Sequence, residues 1–344
     1  MLTSKQRVQN TMVGAPVDRP ALFLPFTLHG ATEVGLTYSQ YFSSATAVVE
    51  GQLRLREKYS HDILYPFFYA AAEHEAFGGQ VSFHDDGPPT SAGPLFESPR
   101  QITAWEPPDV KHSEVLARTL DTIFELKRRT VGNVPIVSVV MAPTSLPVMQ
   151  LGFGEYLTLW FEQPELCAVL HEKNRAFTVA WANAQLQAGA DVVGYFDPVL
   201  SPTIITEKQF HTVGLPLARR TIEDINGPIA GLLASGLAVK RFTDFADIGA
   251  SLVGVSSTES ISEAKKAAAG RVTVLGNLNG LEMCHWTADQ AYIHAASALA
   301  QGGTSKFILS DSHGEIPSQV RPAVLDAIVA AVADYKIMDT DIHV

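Results

Sequence analysis

The chain has 344 residues, 46% of them hydrophobic and 18% charged, with a formal net charge of −11. That is enough apolar surface for a large core and excludes general disorder. The acidic balance, with no long Lys/Arg run, speaks against a surface that tracks nucleic acid. Cys167 and Cys284 lie far apart and form neither a C-x-x-C pair nor a disulfide framework. No stretch reaches the roughly 18 apolar residues a spanning helix needs, and the N-terminus lacks an apolar leader, so the expected setting is cytoplasmic with no membrane partner.

In chain order, strand-length apolar runs occur at residues 20–28, 62–68, 134–141, 191–196, 228–233, 252–255, 272–276 and 306–310. Between them lie stretches of helical period at 113–129, 153–187, 207–225, 262–269 and 287–301. Strands alternating with helices read as parallel βαβ units, and eight of them predict a (β/α)8 TIM barrel forming one domain over 1–344. Residues 78–99, rich in Gly, Pro and Ser, predict a hairpin or loop excursion after the second strand.

In such a barrel chemistry sits where strands end, which directs attention to His29, Tyr69, His74, Glu75, Pro143, Asp197, Ser235, Asn277, Asn279, Asp311, His313 and Glu315. Asp197 ends an apolar strand before Pro198; a carboxylate there needs a partner or a ligand, and it is suited to proton transfer or to orienting a histidine. The plain alternative is a turn or cap. The run Asp311-Ser-His313-Gly-Glu315 puts two acids and a histidine into five residues, a combination suited to proton transfer or metal ligation. Glu73, His74 and Glu75 are consecutive, so on a helix they diverge and at most one or two face a common site. Gly276-Asn277-Leu-Asn279-Gly280 offers two amides and glycines that would let a ligand approach the backbone. No phosphate-loop or dinucleotide fingerprint is present.

Several blocks together resemble the uroporphyrinogen decarboxylase superfamily, which includes corrinoid-linked methyltransferases. They are Val17-Asp-Arg-Pro20, Ala72-Glu-His-Glu-Ala-Phe-Gly78, Met141-Ala-Pro-Thr, Gly189-Ala-Asp, Asp197-Pro198, Gly276-Asn-Leu278 and Gly314-Glu-Ile-Pro317. The resemblance implies a (β/α)8 barrel, with Asp197, His313 and Glu315 as catalytic candidates. Their strand-end positions make His29, Tyr69, His74, Glu75, Ser235, Asn277, Asn279 and Asp311 substrate-binding candidates, and Met141 joins them at the head of its block.

The departures bear on the branch. Where the decarboxylases carry an arginine-rich loop and an F-S-D acid, this chain reads Thr27-Leu-His29-Gly and Phe67-Phe68-Tyr69. Without that clamp an octacarboxylate loses its counter-charges. The Glu-Ile-Pro ending looks like the methyltransferase branch. Thiol-methylating members build a zinc site from H-x-C-G after the fifth strand and a cysteine before E-I-P. Here those places read Leu233-Ala-Ser235-Gly236 and His313-Gly314, so the usual zinc ligands are missing. If a metal is bound, His29, Glu75, Asp197 and His313 are the candidates.

The resemblance therefore implies methyl transfer between a corrinoid and a small donor or acceptor: an aryl methyl ether, a methylated amine, a folate or a thiol. The corrinoid (cobalamin) would be supplied in trans, in one form by a corrinoid protein. The alternatives are a decarboxylase of a porphyrin or smaller acid, resting on Asp197 and His313, and a non-catalytic binding module.

Overall fold

A computed structural model describes residues 1–234 and 236–335. Seven parallel strands form one sheet: β1 (Ala21–Leu22), then β4 (Val137–Met141), β5 (Val192–Phe196), β6 (Ile229–Leu232), β7 (Leu252–Gly254), β8 (Thr273–Leu278) and β9 (Phe307–Asp311), in the order β1-β9-β8-β7-β6-β5-β4. Helices follow most strands and cover the outside, giving an α/β, TIM-like architecture. β2 (Val81–Ser82) and β3 (Thr90–Ser91) form a separate antiparallel hairpin within the expected excursion.

The second expected strand, 62–68, is reduced to one parallel bridge between Leu64 and Ile136. The backbone N–H of Asp62 also donates to Leu22 O. Segment 62–64 therefore lies between β1 and β4, the two ends of the seven-strand order. The reduction has a cause in the chain: Pro25 and Pro66 lack the N–H that would extend a ladder, and both apolar runs leave the sheet there.

All five residues of β4 are buried, as expected of a parallel sheet covered on both faces. Alternate residues sort between two clusters. Phe23, Ile63, Tyr65, Val137, Val139, Val192, Ala230, Leu252, Leu275 and Ile308 pack together inside the curve of the sheet. Val140, Val193, Val253, Val274 and Leu309 pack outward against the helices.

The helix expected over 113–129 is Glu114–Arg129, and that over 287–301 is Ala288–Gly302, begun by a Thr287 and Gln290 capping box. The 153–187 stretch is two helices, Phe153–Glu162 and Pro164–Ala188, because Pro164 has no N–H to continue the first. The 207–225 stretch passes through a π turn, Phe210–Gly214, before Leu215–Glu223. Helices Ser4–Val13, Ala45–Tyr59 and Pro322–Asp334 lie outside the expected set. No helix among the described residues is long and apolar enough to cross a membrane.

Candidate active site

β9 ends at Asp311, and the chain turns at once through Gly314, whose φ of 87° is cheap only for glycine. The turn is held by Asp311 itself: Oδ2 accepts the backbone N–H of His313 at 2.9 Å and Oδ1 that of Gly314 at 3.0 Å. His313 Nδ1 stands 3.6 Å from Asp311 Oδ2 and 3.2 Å from Ser312 Oγ. Glu315 is docked to the loop after β1, where the Thr27 hydroxyl donates to its Oε1 and Ile316 N donates to Pro25 O.

Burial pushes Asp311 above the ordinary aspartate range, although His313 and the backbone N–H groups oppose it. Burial likewise pushes Glu315 up to about 7; the Thr27 hydrogen bond opposes this and the nearby Asp311 charge adds to it. Tyr65, on the inner face of segment 62–65, is raised well above the usual phenol value, first by burial and then by Glu315 and Asp311.

These groups close a cavity inside the sheet. Its walls are Phe23, Ile63, Tyr65, Phe196 and Leu232, and its rim is Ser310–Gly314. No lysine or arginine lines it among the described residues. The enclosed space is about 40 Å³, room for a few heavy atoms on the scale of roughly 10–15 Å³ per water.

The other sequence candidates fall elsewhere. Asp197 is fully buried but does not line this cavity; it accepts from Thr144 Oγ1 at 2.5 Å and Ser145 Oγ at 2.8 Å. Burial raises it to about 7 against those two donors. It ties the end of β5 to the loop after β4.

His29 is buried against Phe26, ring centroids 4.9 Å apart, and burial lowers it to about 4. His74 is buried with its ring against Gly79, where an added Cβ would sit 2.1 Å from Nε2. The Tyr69 hydroxyl donates to Glu75, which faces Arg118 at 3.8 Å. Met141 N donates to Glu73, a buried carboxyl raised to about 8 by desolvation.

Asn277 Nδ2 donates to Ser256 O and Glu259 O, and Asn279 caps the short helix Gly280–Met283. Both line an outer groove rather than the cavity. Protein atoms stand close beside the flanking glycines: a Cβ on Gly276 would meet Val255 at 3.0 Å, and one on Gly280 would lie 2.9 Å from Asp311 Oδ2. Ser235 lies outside the described residues.

The four metal candidates stand in separate settings. Among the described residues no three His, Cys, Asp or Glu side chains are grouped to hold a metal ion, so the donor set does not fit a zinc site of the family's kind.

Sequence reasoning passed over Tyr65, which hides inside an apolar run. Its signal was the period-two phase shared with Ile63, which sets both on the inner face. The motif Val17-Asp-Arg-Pro20, which carried part of the resemblance, lies at the opposite end of the sheet. Arg7 and Arg19 both bond the fully buried Asp62 there, with Arg7 also paired to Asp18.

The family model for uroporphyrinogen decarboxylase (URO-D) matches residues 3–335. The chain belongs to the uroporphyrinogen decarboxylase family. A uroporphyrinogen decarboxylase from Halalkalibacterium halodurans is 25% identical over 72% of this chain and 73% of its own. A methylated-thiol–coenzyme M methyltransferase from Methanosarcina mazei is 26% identical over 47% of this chain and 44% of its own. Among solved structures, a methyltransferase from Methanosarcina mazei superposes with a TM-score of 0.87 at 19% identity, covering 97% of this chain and 99% of that one. At that identity the likeness is one of fold. The family contains both decarboxylases and methyltransferases, so its members are enzymes of either kind, and the cavity has to separate the two readings.

Proposed function

We propose that the protein is a methyltransferase of this family, moving a methyl group between a corrinoid and a small methyl compound held in the cavity beneath Asp311. The observation that carries the reading is the cavity's charge. It is apolar, capped by an acid and, among the described residues, lined by no lysine or arginine. A polycarboxylate entering it would lose hydration and meet like charge, with no guanidinium to compensate. A small uncharged or positively charged methyl compound meets neither cost. The family's methyltransferase relative is consistent with this choice.

A corrin macrocycle is far larger than the enclosed space. In this reading the corrinoid is a co-substrate presented at the mouth from outside the chain, where it supplies the nucleophile or the methyl group. The chain's own residues do the rest. Phe23, Tyr65 and Phe196 exclude water and hold the methyl compound near the rim. The carboxyls of Asp311 and Glu315 are close enough to interact, so loss of a proton from one favours its retention by the other. Such a pair can hold a proton for the heteroatom that releases the methyl group or offset a positive charge on it. Asp197 acts through Thr144 and Ser145 as a positioning residue for the loop after β4.

Mixing the protein with cob(I)alamin and a panel of methyl ethers, thioethers and methylated amines tests the reading. Conversion to methylcobalamin, followed by absorbance and lost in Asp311→Asn, is expected. Unchanged spectra across the panel in both transfer directions, together with turnover of uroporphyrinogen, would support decarboxylation in its place.

A further inference from the structure

Like Asp197 and Glu73, the acids at the cavity rim have no lysine or arginine partner among the described residues, but of these acids only Asp311 lines this cavity, with Glu315 beside it. Asp62, equally buried, is bonded by two guanidiniums. Asp311 is 5% exposed, and its hydrogen bonds come from two backbone N–H groups of its own turn. Glu315 receives the Thr27 hydroxyl. The charged or titratable groups facing the cavity are Asp311, His313 and Tyr65, with Glu315 beside them; among the described residues no lysine or arginine lines it. A buried and a half-buried carboxyl with hydrogen bonds, one nearby imidazole and no lysine or arginine are incompletely compensated.

A second observation points the same way. Tyr65 is 3% exposed and lines the cavity, and its hydroxyl has no hydrogen-bond partner among the described residues. Its ring makes an edge contact with Phe23, centroids 5.4 Å apart. Phe196 supplies a further aromatic wall. Aromatic faces beside carboxylates are the surroundings in which a small organic cation is stabilised, by ring quadrupole and by charge. A neutral ether would occupy the same walls while leaving both acids uncompensated.

Resting on the methyltransferase reading for its place in a reaction, we propose that the compound held in this cavity is a small methylated ammonium ion, with its charge facing Asp311 and Glu315 and its methyl groups against Phe23, Tyr65 and Phe196. An N–H-bearing ion gains the Tyr65 hydroxyl as an acceptor; a quaternary ion keeps the charge and aromatic contacts without it. The space of about 40 Å³ suits an ion of a few heavy atoms.

The test is equilibrium binding to the full chain, by titration calorimetry at constant ionic strength near pH 7.5. Its probes are trimethylammonium, tetramethylammonium and the neutral isostere tert-butanol. Trimethylammonium is expected to bind at least ~10-fold tighter than tert-butanol, a difference of about 1.4 kcal/mol. Its binding should release protons, read as a dependence of the heat on the buffer's ionisation enthalpy, as the acids ionise around the cation. Asp311→Asn and Glu315→Gln should each remove most of the preference for charge. Tyr65→Phe keeps the ring and should remove the preference for trimethylammonium over tetramethylammonium, so the test survives even if Asp311→Asn fails to fold. Equal binding of cation and alcohol, or cation binding indifferent to both acid substitutions, overturns the inference. The two proposals fail separately. A cation that binds without any methyl transfer keeps the ligand and removes the methyltransferase reading, whereas demethylation of a neutral ether with no cation binding does the reverse.

Discussion

The two ends of the parallel sheet handle buried acid in opposite ways. At the N-terminal end Asp62 has no exposure, yet five donors from Ser4, Arg7, Arg19 and Leu22 saturate it. At the C-terminal end Asp311 and Glu315 are held by backbone N–H groups, a hydroxyl and the imidazole of His313, with no guanidinium among the described residues, and burial drives both upward. A compensated acid serves the fold, because its charge is already satisfied. An acid left short of a cation costs stability and, where it lines a cavity as Asp311 does and Asp197 does not, is placed to meet a substrate. The position of Asp62 before its strand segment and of Asp311 after its own fits the division of such folds into a stabilising end and a reactive end.

Asp62→Ala should give the largest stability effect, about 3–5 kcal/mol, because it leaves two guanidiniums short of their shared buried acceptor. Chemical unfolding would measure it. Asp311→Asn keeps one acceptor oxygen for the turn, sets an amide nitrogen against the second backbone N–H and removes no ion pair with Lys or Arg, so its stability cost should be about 1–3 kcal/mol, below that of Asp62→Ala. Its effect should appear instead in methyl transfer, as a loss of about 100-fold or more. If the two substitutions cost the fold equally, the division of labour between the ends is wrong.

The pH dependence should separate the ends by sign. Glu315 and Asp197 at about 7 and Glu73 at about 8 keep a proton in the folded chain that the unfolded chain, with ordinary carboxyl values of 4.5 or 3.8, has lost. Their contribution is therefore greatest on the acid side and is lost as pH rises from about 4 to about 8. Each carboxyl accounts for at most about 1.4 kcal/mol per pH unit. Glu315→Gln should flatten this slope in unfolding curves recorded across that range. Asp18 runs the other way: its hydrogen bond from Arg7 lowers it to about 2, so its contribution is present above pH 4 and lost as pH falls through 2. Asp18→Asn should leave the neutral slope untouched and soften only the acid limb.

The smallest effect sharpens the geometry of the reactive end. A Cβ on Gly280 would stand 2.9 Å from Asp311 Oδ2. Gly280→Ala should therefore move that carboxylate and reduce turnover while costing about 1–3 kcal/mol in stability. Turnover at the unsubstituted level would show that the Asp311 position is not critical.

Much of this was legible in the chain. Apolar runs bounded by helical stretches placed every strand of the sheet, and the acids after the last run placed the rim. What escaped has physical causes. Proline at 25 and 66 shortened two strands in ways that hydropathy does not register. Asp197 and Asp311 look alike in sequence, each an acid at a strand end, but only the fold shows Asp197 turned to Thr144 and Ser145 and Asp311 set at the cavity. Asn277 and Asn279 read as ligand contacts because amides beside glycine suit that role, whereas here they fasten backbone. Tyr65 was hidden because an aromatic residue in an apolar run signals core, and its free hydroxyl depends on which chains surround it.

The central claim is that the acid-capped, cation-free cavity serves a small methyl compound and not a polycarboxylate. The most direct measurement offers the full-length protein cob(I)alamin with a methylated amine or ether in one assay and uroporphyrinogen in another, with Asp311→Asn run beside both. The account predicts methylcobalamin formation in the first, abolished by the substitution, and no carboxyl loss in the second. Decarboxylation of uroporphyrinogen with no change in the corrinoid spectrum would contradict it.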